Sequence, residues 1–513
     1  MGQAAIDALH LVFTPETFGF ILLGTLVGLC VGLVPALGGV VGMSLLIPFV
    51  FAMEPHSAIA MLVGLSAVTN TSDTLVSVMF GVPGSSGAAA TIIDGHPMAR
   101  KGQAGRALGA AYGASMIGGL IGALILFMVL PFARSLILNL GSPELFMFVL
   151  FGLVMVGTLV GGAVLPGITG ALLGVLMGTV GAAPATAEPR FTFDSLYLSQ
   201  GVPLVIFVLG LYAIPEIVDL MRKGEPIAQG ATKVTGGQWA GFRDVFRHPG
   251  PLLTGSGVGV FAGVLPGLGG TVASWISYGL TSRFSRKNRD RFGKGDVRGV
   301  IAPEAANNSN DGGELVPTLL FGIPGSAMMA VVLGVLITLG INPGPTLMED
   351  QNLSIVLVIV WSLVLANVVA TFLMMMVSRQ AIKLTLLDAR ILVPFVLVTV
   401  LLAAYQYIQD WTDILAVMVI GAGAWVIKQA GWPRPPILVG FVLGLPAERY
   451  LTISYGRYGF DWLDRPLVIV FGVLIALVIL LGVVQAFRSD GKSPDSQPVV
   501  ASPEPGPDSE GDR

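Results

Sequence analysis

Gly32-Leu-Val-Pro35-Ala-Leu-Gly38-Gly39 recurs further along the chain as Gly263-Val-Leu-Pro266-Gly-Leu-Gly269-Gly270. A second pair follows in the same order: Phe80-Gly81-Val-Pro83-Gly84-Ser85, then Phe321-Gly322-Ile-Pro324-Gly325-Ser326. The first pair is offset by 231 residues (32 to 263) and the second by 241 (80 to 321). One Gly-rich octamer matches easily by chance. Two matches in order, at nearly equal offsets, mark an internal duplication. The second copy carries ten more residues between its motifs (241 less 231), and they fall in a basic loop at 283–298.

The sequence around these motifs is made for lipid. Only 12% of the 513 residues are charged, 54% are hydrophobic, and the mean hydropathy is +0.81. A soluble domain carries about 25% charge to cover its surface. Apolar stretches recur at 18–34, 107–130, 145–161, 201–220, 355–377, 391–407, 414–426 and 467–487, with shorter runs between them. A span takes about 20 residues, so the chain reads as an all-α polytopic membrane protein with roughly ten to fourteen membrane segments. Its 68 Gly and 33 Pro would be costly in soluble helices. In membrane bundles Gly lets helices pack closely, and broken backbone survives only where it faces protein or a water-filled cavity. The Gly/Pro breaks are therefore where function is expected, with the two halves meeting there.

Charge orients the halves. Lys and Arg stay on the cytoplasmic side. None occurs before Arg100, whereas the second Pro-x-x-Gly-Gly motif is flanked by Arg222 to Arg247 and by Arg283 to Arg298. For the other motif the signs swap. Arg100, Lys101 and Arg106 follow its first copy, but Glu349 and Asp350 follow its second, and no Lys or Arg lies from 299 to 378. Corresponding loops on opposite faces are the mark of inverted repeats. Residues 251–266 and 270–282 span about 24 Å and 20 Å as helix, short of the ~30 Å hydrocarbon core. The expectation is a pair of re-entrant hairpins, preferred over Pro-kinked full spans. One enters from outside with its tip near Pro35–Gly39, the other from the cytoplasm with its tip near Pro266–Gly270. The chain then divides into a first transmembrane repeat (1–221), a cytoplasmic linker (222–250), a second repeat (251–488) and a disordered Ser/Pro/Asp/Gly-rich tail (489–513).

A polar cluster precedes each Gly-x-Pro-Gly-Ser motif: Thr69-Asn70-Thr71-Ser72-Asp73-Thr74, and Asn307-Asn308-Ser309-Asn310-Asp311-Gly312-Gly313-Glu314. Aligning the motifs sets Asn70 against Asp311 and Asp73 against Glu314. Ionisable groups among apolar residues are expensive and point to function, against the plainer reading of water-exposed helix ends. The chemistry suits recognition. Freed N–H groups at broken helix starts attract anions, so a carboxylate fits against Gly84–Ser85 and Gly325–Ser326. Asn, Ser and Asp oxygens suit a hard cation such as sodium, or a proton on Asp73 or Asp311. Asn70, Asn307, Asn308 and Glu314 join these as candidates for ion or proton coupling. Enzyme signals are weak. Four scattered His and a single Cys show no metal-ligand spacing, so no catalytic residue, structural metal or cofactor beyond a sodium ion is expected, and no nucleic-acid partner. The loop at 283–298 reads as a topology signal before it reads as a lipid-binding patch.

At Gly32–Gly39, Gly81–Arg106 (with Asp94-Gly-His-Pro-Met-Ala-Arg-Lys-Gly-Gln-Ala-Gly-Arg106), Gly263–Gly270 and Phe292–Asn308 continuing to Ser326, the sequence resembles the large permease subunit of the tripartite tricarboxylate transporters, the TctA type. The resemblance covers nearly the whole chain to about Arg488. It implies a multi-pass protein of the bacterial inner membrane. It implies uptake of an organic di- or tricarboxylate on a sodium or proton gradient, with a small four-helix membrane subunit and a periplasmic solute-binding protein as partners and lipid around it. It also implies that the Gly/Pro tips (Pro35, Gly38, Gly39, Pro83, Gly84, Ser85, Pro266, Gly269, Gly270, Pro324, Gly325, Ser326) and the Asn307–Asn308 segment line the site. A channel built on the same hairpins is the alternative, and an intramembrane enzyme a more distant one.

Overall fold

The computed structural model describes residues 2–34, 38–50, 52–137, 140–159, 164–184, 186–223, 236–349, 351–385 and 389–489. The tip residue Pro35 and the tail from 490 onward lie outside the described residues. The first half comprises α1 (Gly2–Val12), α2 (Pro15–Leu33), α3 (Gly38–Val50), α4 (Pro55–Phe80), α5 (Ala89–Met98), α6 (Ala104–Ile137), α7 (Ser142–Leu159) and α8 (Val164–Gly178). Connecting elements follow: a small pairing of Gly181–Ala182 with Pro189–Arg190, then α9 (Leu196–Ser199), α10 (Leu204–Val208), α11 (Ile214–Lys223) and α12 (Gln238–Arg247). The second half comprises α13 (Pro249–Val264), α14 (Gly269–Phe284), α15 (Arg298–Phe321), α16 (Ala327–Thr338), α17 (Leu353–Thr385), α18 (Ala389–Ile408), α19 (Trp411–Gln429), α20 (Pro435–Tyr458) and α21 (Pro466–Ser489). Part of the stretch read as a linker is thus the helix α12, docked on α6.

Eight helices among the described residues are long and apolar enough to cross a membrane, and five shorter apolar helices accompany them. One core element escapes that description. α15 carries Glu304, Asn307, Asn308, Asn310, Asp311 and Glu314, yet all of them are buried. Its polarity disqualifies it as a lipid-facing span. It stands inside the bundle, enclosed by α5, α6, α13, α14 and α4.

The duplication reappears in the packing. A Cβ added at Gly24, Gly28 or Gly32 of α2 would lie 2.0, 2.6 or 2.3 Å from the carbonyl oxygens of Met61, Leu65 and Thr69 on α4. A Cβ at Gly255, Gly259 or Gly263 of α13 would lie 2.2, 2.2 or 2.4 Å from those of Ala302, Ala306 and Asn310 on α15. The glycines match at the 231 offset (24 to 255) and their partners at 241 (61 to 302), as the two motif pairs do. Both seams are small-xxx-small faces that bring backbones into contact, which is how helices associate where lipid removes the hydrophobic incentive. Backbone conformation repeats as well. Gly81 and Gly322 end α4 and α15 at φ +68° each, and Gly38 and Gly269 open α3 and α14 at +64° and +60°. These left-handed positions favour glycine.

Each Pro/Gly break joins two helices that pack on the same long helix: α2 and α3 on α4, α13 and α14 on α15. α13 and α14 have 16 residues each, about 24 Å apiece, and fall short of the core thickness as expected. The first-half arms are unequal. α3 has 13 residues, but α2 has 19 and reaches the length of a span.

Candidate functional site

The breaks and the polar helices α4 and α15 enclose a cavity of about 340 Å³, within the range typical of small-molecule sites. Of the residues singled out from the sequence, Gly38, Gly39, Asn70, Asp73, Gly84, Ser85, Gly269, Gly270, Asn307, Asp311, Glu314, Gly325 and Ser326 line it. Pro83, Pro266, Pro324 and Asn308 do not. The prolines shape the turns. Asn308 points away, its amide donating to Thr71 Oγ1 (2.9 Å), Asn367 Oδ1 (3.1 Å) and the Ala67 carbonyl (3.3 Å). It ties α15 to α4 and α17, and its Oδ1 is buried without a hydrogen-bond partner.

The loops are held by matching devices. Ser77 Oγ accepts the Gly84 N–H (3.2 Å) and Thr318 Oγ1 accepts the Gly325 N–H (3.4 Å), at positions 241 apart. Those two amides were expected to meet a carboxylate, but they are spent on their own preceding helices. The free positive ends lie elsewhere. Gly87, leading into α5, lines the cavity but donates its N–H to Ser85 Oγ (3.2 Å), which leaves the first residues of α3 (Gly38, Gly39), α14 (Gly269, Gly270) and α16 (Ala327, Met328) facing the cavity. Orphan N–H groups and helix dipoles there favour an anion.

The acidic groups divide into two kinds. Glu314 is fully engaged: Asn310 Nδ2 donates to its Oε1 and Ser326 Oγ to its Oε2, each at 2.5 Å. Asp73 Oδ2, Asp311 Oδ2, Asn310 Oδ1 and Asn307 Nδ2 are buried without a hydrogen-bond partner. A buried polar group left unpaired costs about 1–3 kcal/mol, so four at one cavity mark a place built for something that binds. Among the described residues no Lys or Arg lines the cavity.

The two halves differ where they touch. A Cβ at either Gly87 or Gly270 would lie 2.4 Å from Asn307 Oδ1, so Asn307 sits between the first-half loop and the second-half tip. The related contact across the pseudo-repeat is Met328 against Gly39, with Ser66 Oγ 3.8 Å from the Met328 sulfur. One side of the cavity is therefore polar and the other is filled by a thioether. Thr271 Oγ1 donates to Ser86 Oγ (2.8 Å) across the halves, and within the second half the Gly267 N–H donates to the Gly325 carbonyl (3.2 Å).

Sequence reading missed Met328, Thr271, Ser86, Gly87 and Gly267 as lining residues. It also missed Glu304, wholly buried outside the cavity, which accepts from Thr74 Oγ1 (2.8 Å), Thr91 Oγ1 (2.6 Å) and Ser115 Oγ (3.1 Å). Three hydroxyls from α4, α5 and α6 meet there on a carboxyl of α15. A lone Glu among apolar residues was the available signal.

The fold and cavity define a multi-pass α-helical membrane protein with a polar site at the meeting of duplicated halves. The family model described as "Tripartite tricarboxylate transporter TctA family" matches residues 18–439, and the chain belongs to that family of transporter membrane subunits. An uncharacterized 52.8 kDa protein in the TAR-I ttuC' 3' region of Agrobacterium vitis is 32% identical over 438 residues, covering 85% of this chain and 87% of that protein. An uncharacterized protein in the TAR-II ttuC' 3' region of Agrobacterium vitis is 33% identical over 193 residues, covering 38% of this chain and 79% of that protein. No solved structure matches.

Proposed function

We propose that the protein is the large subunit of a secondary active importer of an organic di- or tricarboxylate in the bacterial inner membrane. A sodium or proton gradient drives it. Substrate arrives from a periplasmic solute-binding protein, and a small four-helix subunit accompanies the permease. The observation that carries this reading is a pair of buried carboxylates, Asp73 and Asp311, each with Oδ2 lacking a hydrogen-bond partner, in a cavity that among the described residues has no cationic side chain but is ringed by helix N-termini. A carboxylate brought within about 5 Å of a fixed carboxylate is repelled by ~3 kcal/mol at an effective dielectric of 20. Cations or protons must first neutralise the acids. The anion then meets the positive helix ends, and the two loads move together. That obligatory pairing supports a carrier over an open channel.

Proteoliposomes holding this chain with its partner subunit and binding protein should concentrate a labelled tricarboxylate such as citrate only when a sodium or pH gradient is imposed. Flux that is unsaturable and independent of either gradient would favour the channel instead. Inversion of the halves supplies the alternating access such a carrier needs, and the swapped charges of the flanking loops support it. Cysteines placed singly at 54 and at 290 should label with impermeant maleimide from outside and inside respectively. Labelling of both from one face would remove the inversion.

A further inference from the structure

Two sequence motifs remain unused by the cavity: Asp94 to Arg106 after the first Gly-x-Pro-Gly-Ser loop, and Phe292 to Arg298 before α15. They meet. Asp94, fully buried on α5, accepts the N–H groups of Gly295 and Asp296 (2.8 Å each) and the hydroxyl of Tyr278 (2.9 Å). Lys101 Nζ donates to the Lys294 carbonyl. Beside this lock lies a second cavity, of about 530 Å³, whose lining includes Lys101, Arg106, Arg291, Lys294 and Arg298 together with Asp290 and Asp296.

Some of that charge is already cancelled. Arg298 pairs with Asp296 (2.7 Å), and Arg106 with Asp244 (2.6 Å). Burial would raise the Asp296 carboxyl, but the Arg298 guanidinium and N–H outweigh it and hold the group below the ordinary Asp range, so it stays an anion. Among the described residues Lys101, Arg291 and Lys294 have no carboxylate partner, against the single unpaired acid Asp290. The surplus is a double positive charge around a hollow. A topology signal needs basic residues on one loop. It does not need cations from two separate halves to converge on a cavity, nor a buried carboxylate to pin the loop that carries them.

We propose that this basin binds a phosphate-bearing anion, supplied either as an anionic phospholipid headgroup or as free phosphate. A dianion with several acceptor oxygens matches point-charge ammonium donors and a guanidinium arriving from different directions. Basic pockets between helices near the membrane surface take lipid phosphates for the same reason. Occupancy joins the α5–α6 joint of the first half to the segment that launches α15, the helix bearing Asn307, Asp311 and Glu314, and so braces the transport cavity from a distance.

The test uses the full-length protein, once in neutral detergent with inorganic phosphate and once in nanodiscs of phosphatidylglycerol or of phosphatidylcholine. Thermal unfolding is read at matched ionic strength with chloride as reference. Phosphate, phosphatidylglycerol or both should raise the midpoint. The Arg291→Ala/Lys294→Ala variant should weaken the apparent phosphate affinity, or the phosphatidylglycerol advantage, at least tenfold. Both residues are exposed, and the Lys294 carbonyl that Lys101 uses is retained, so the variant keeps the lock. Lys294→Arg added to Arg291→Ala should recover part of the loss. A gain confined to phosphatidylglycerol assigns the site to a lipid headgroup, and a gain that phosphate alone produces assigns it to the free anion. No gain in the wild type either from phosphate over chloride or from phosphatidylglycerol over phosphatidylcholine, or an undiminished gain in the double variant, overturns the proposal.

Discussion

Gly325→Leu is expected to abolish uptake while the protein still reaches the membrane. A Cβ at this position would lie 2.9 Å from Glu314 Cβ and Cγ and 3.0 Å from Glu314 Cα. The last of these belongs to the backbone of α15, so side-chain rotation cannot relieve the contact. The loop must lift. Lifting it breaks the Gly325 N–H bond to Thr318, the Ser326 bond to Glu314 and the bond that the Gly325 carbonyl accepts from the Gly267 tip. Overpacking of this kind costs about 1–3 kcal/mol, which a large bundle tolerates. The site does not, because Ser326, Glu314 and Gly267 all line the cavity. Gly325→Ala should carry most of the same loss, since the collision begins at Cβ. Gly279→Ala, with nothing within 4 Å, should transport normally. Uptake of a labelled tricarboxylate, normalised to protein detected in isolated membranes, reads all three. Wild-type uptake by Gly325→Leu would remove this loop from the site.

Gly84 repeats the argument on the other side, with Asp73 carbonyl oxygen 2.4 Å from a Cβ there. This equivalence shows what a sequence can disclose. The motif pairs announced the duplication, and the polar clusters announced the cavity, because both follow from residue spacing along one helix. What faces what across the halves does not follow from spacing. Nothing in the string says that Met328 meets Gly39 whereas Asn307 is seated between Gly87 and Gly270. Asn307 and Asn308 are neighbours in sequence, yet a turn of 100° per residue sends one to the cavity and the other to Asn367 on α17. The freed amides of Gly84 and Gly325 looked available until Ser77 and Thr318, seven residues earlier in each half, were seen to accept from them. Glu304 looked incidental until three helices delivered hydroxyls to it. Local breaks were legible, then, but their satisfaction by distant partners was not.

The same distinction decides which acid couples transport to an ion. Glu314 has both oxygens engaged within its own half, so its replacement should mainly loosen the Gly325 loop. Asp311 lines the cavity and is 2% exposed, and its Oδ2 is buried without a hydrogen-bond partner. A cation there would gain a full charge and, from Asn310 Oδ1, a second free oxygen of the kind hard cations prefer. Asp311→Asn preserves shape and removes that charge. Uptake should persist at saturating driving ion, but the concentration for half-maximal rate should rise at least tenfold, the equivalent of about 1.4 kcal/mol. Initial rates measured against sodium at fixed pH, and against pH without sodium, separate the two ions. A shift in the sodium series alone assigns Asp311 to sodium, and a flattened pH series alone assigns it to a proton. Both series superimposing on the wild type would strip Asp311 of its coupling role and leave Asp73, whose Oδ2 also lacks a partner, to carry it.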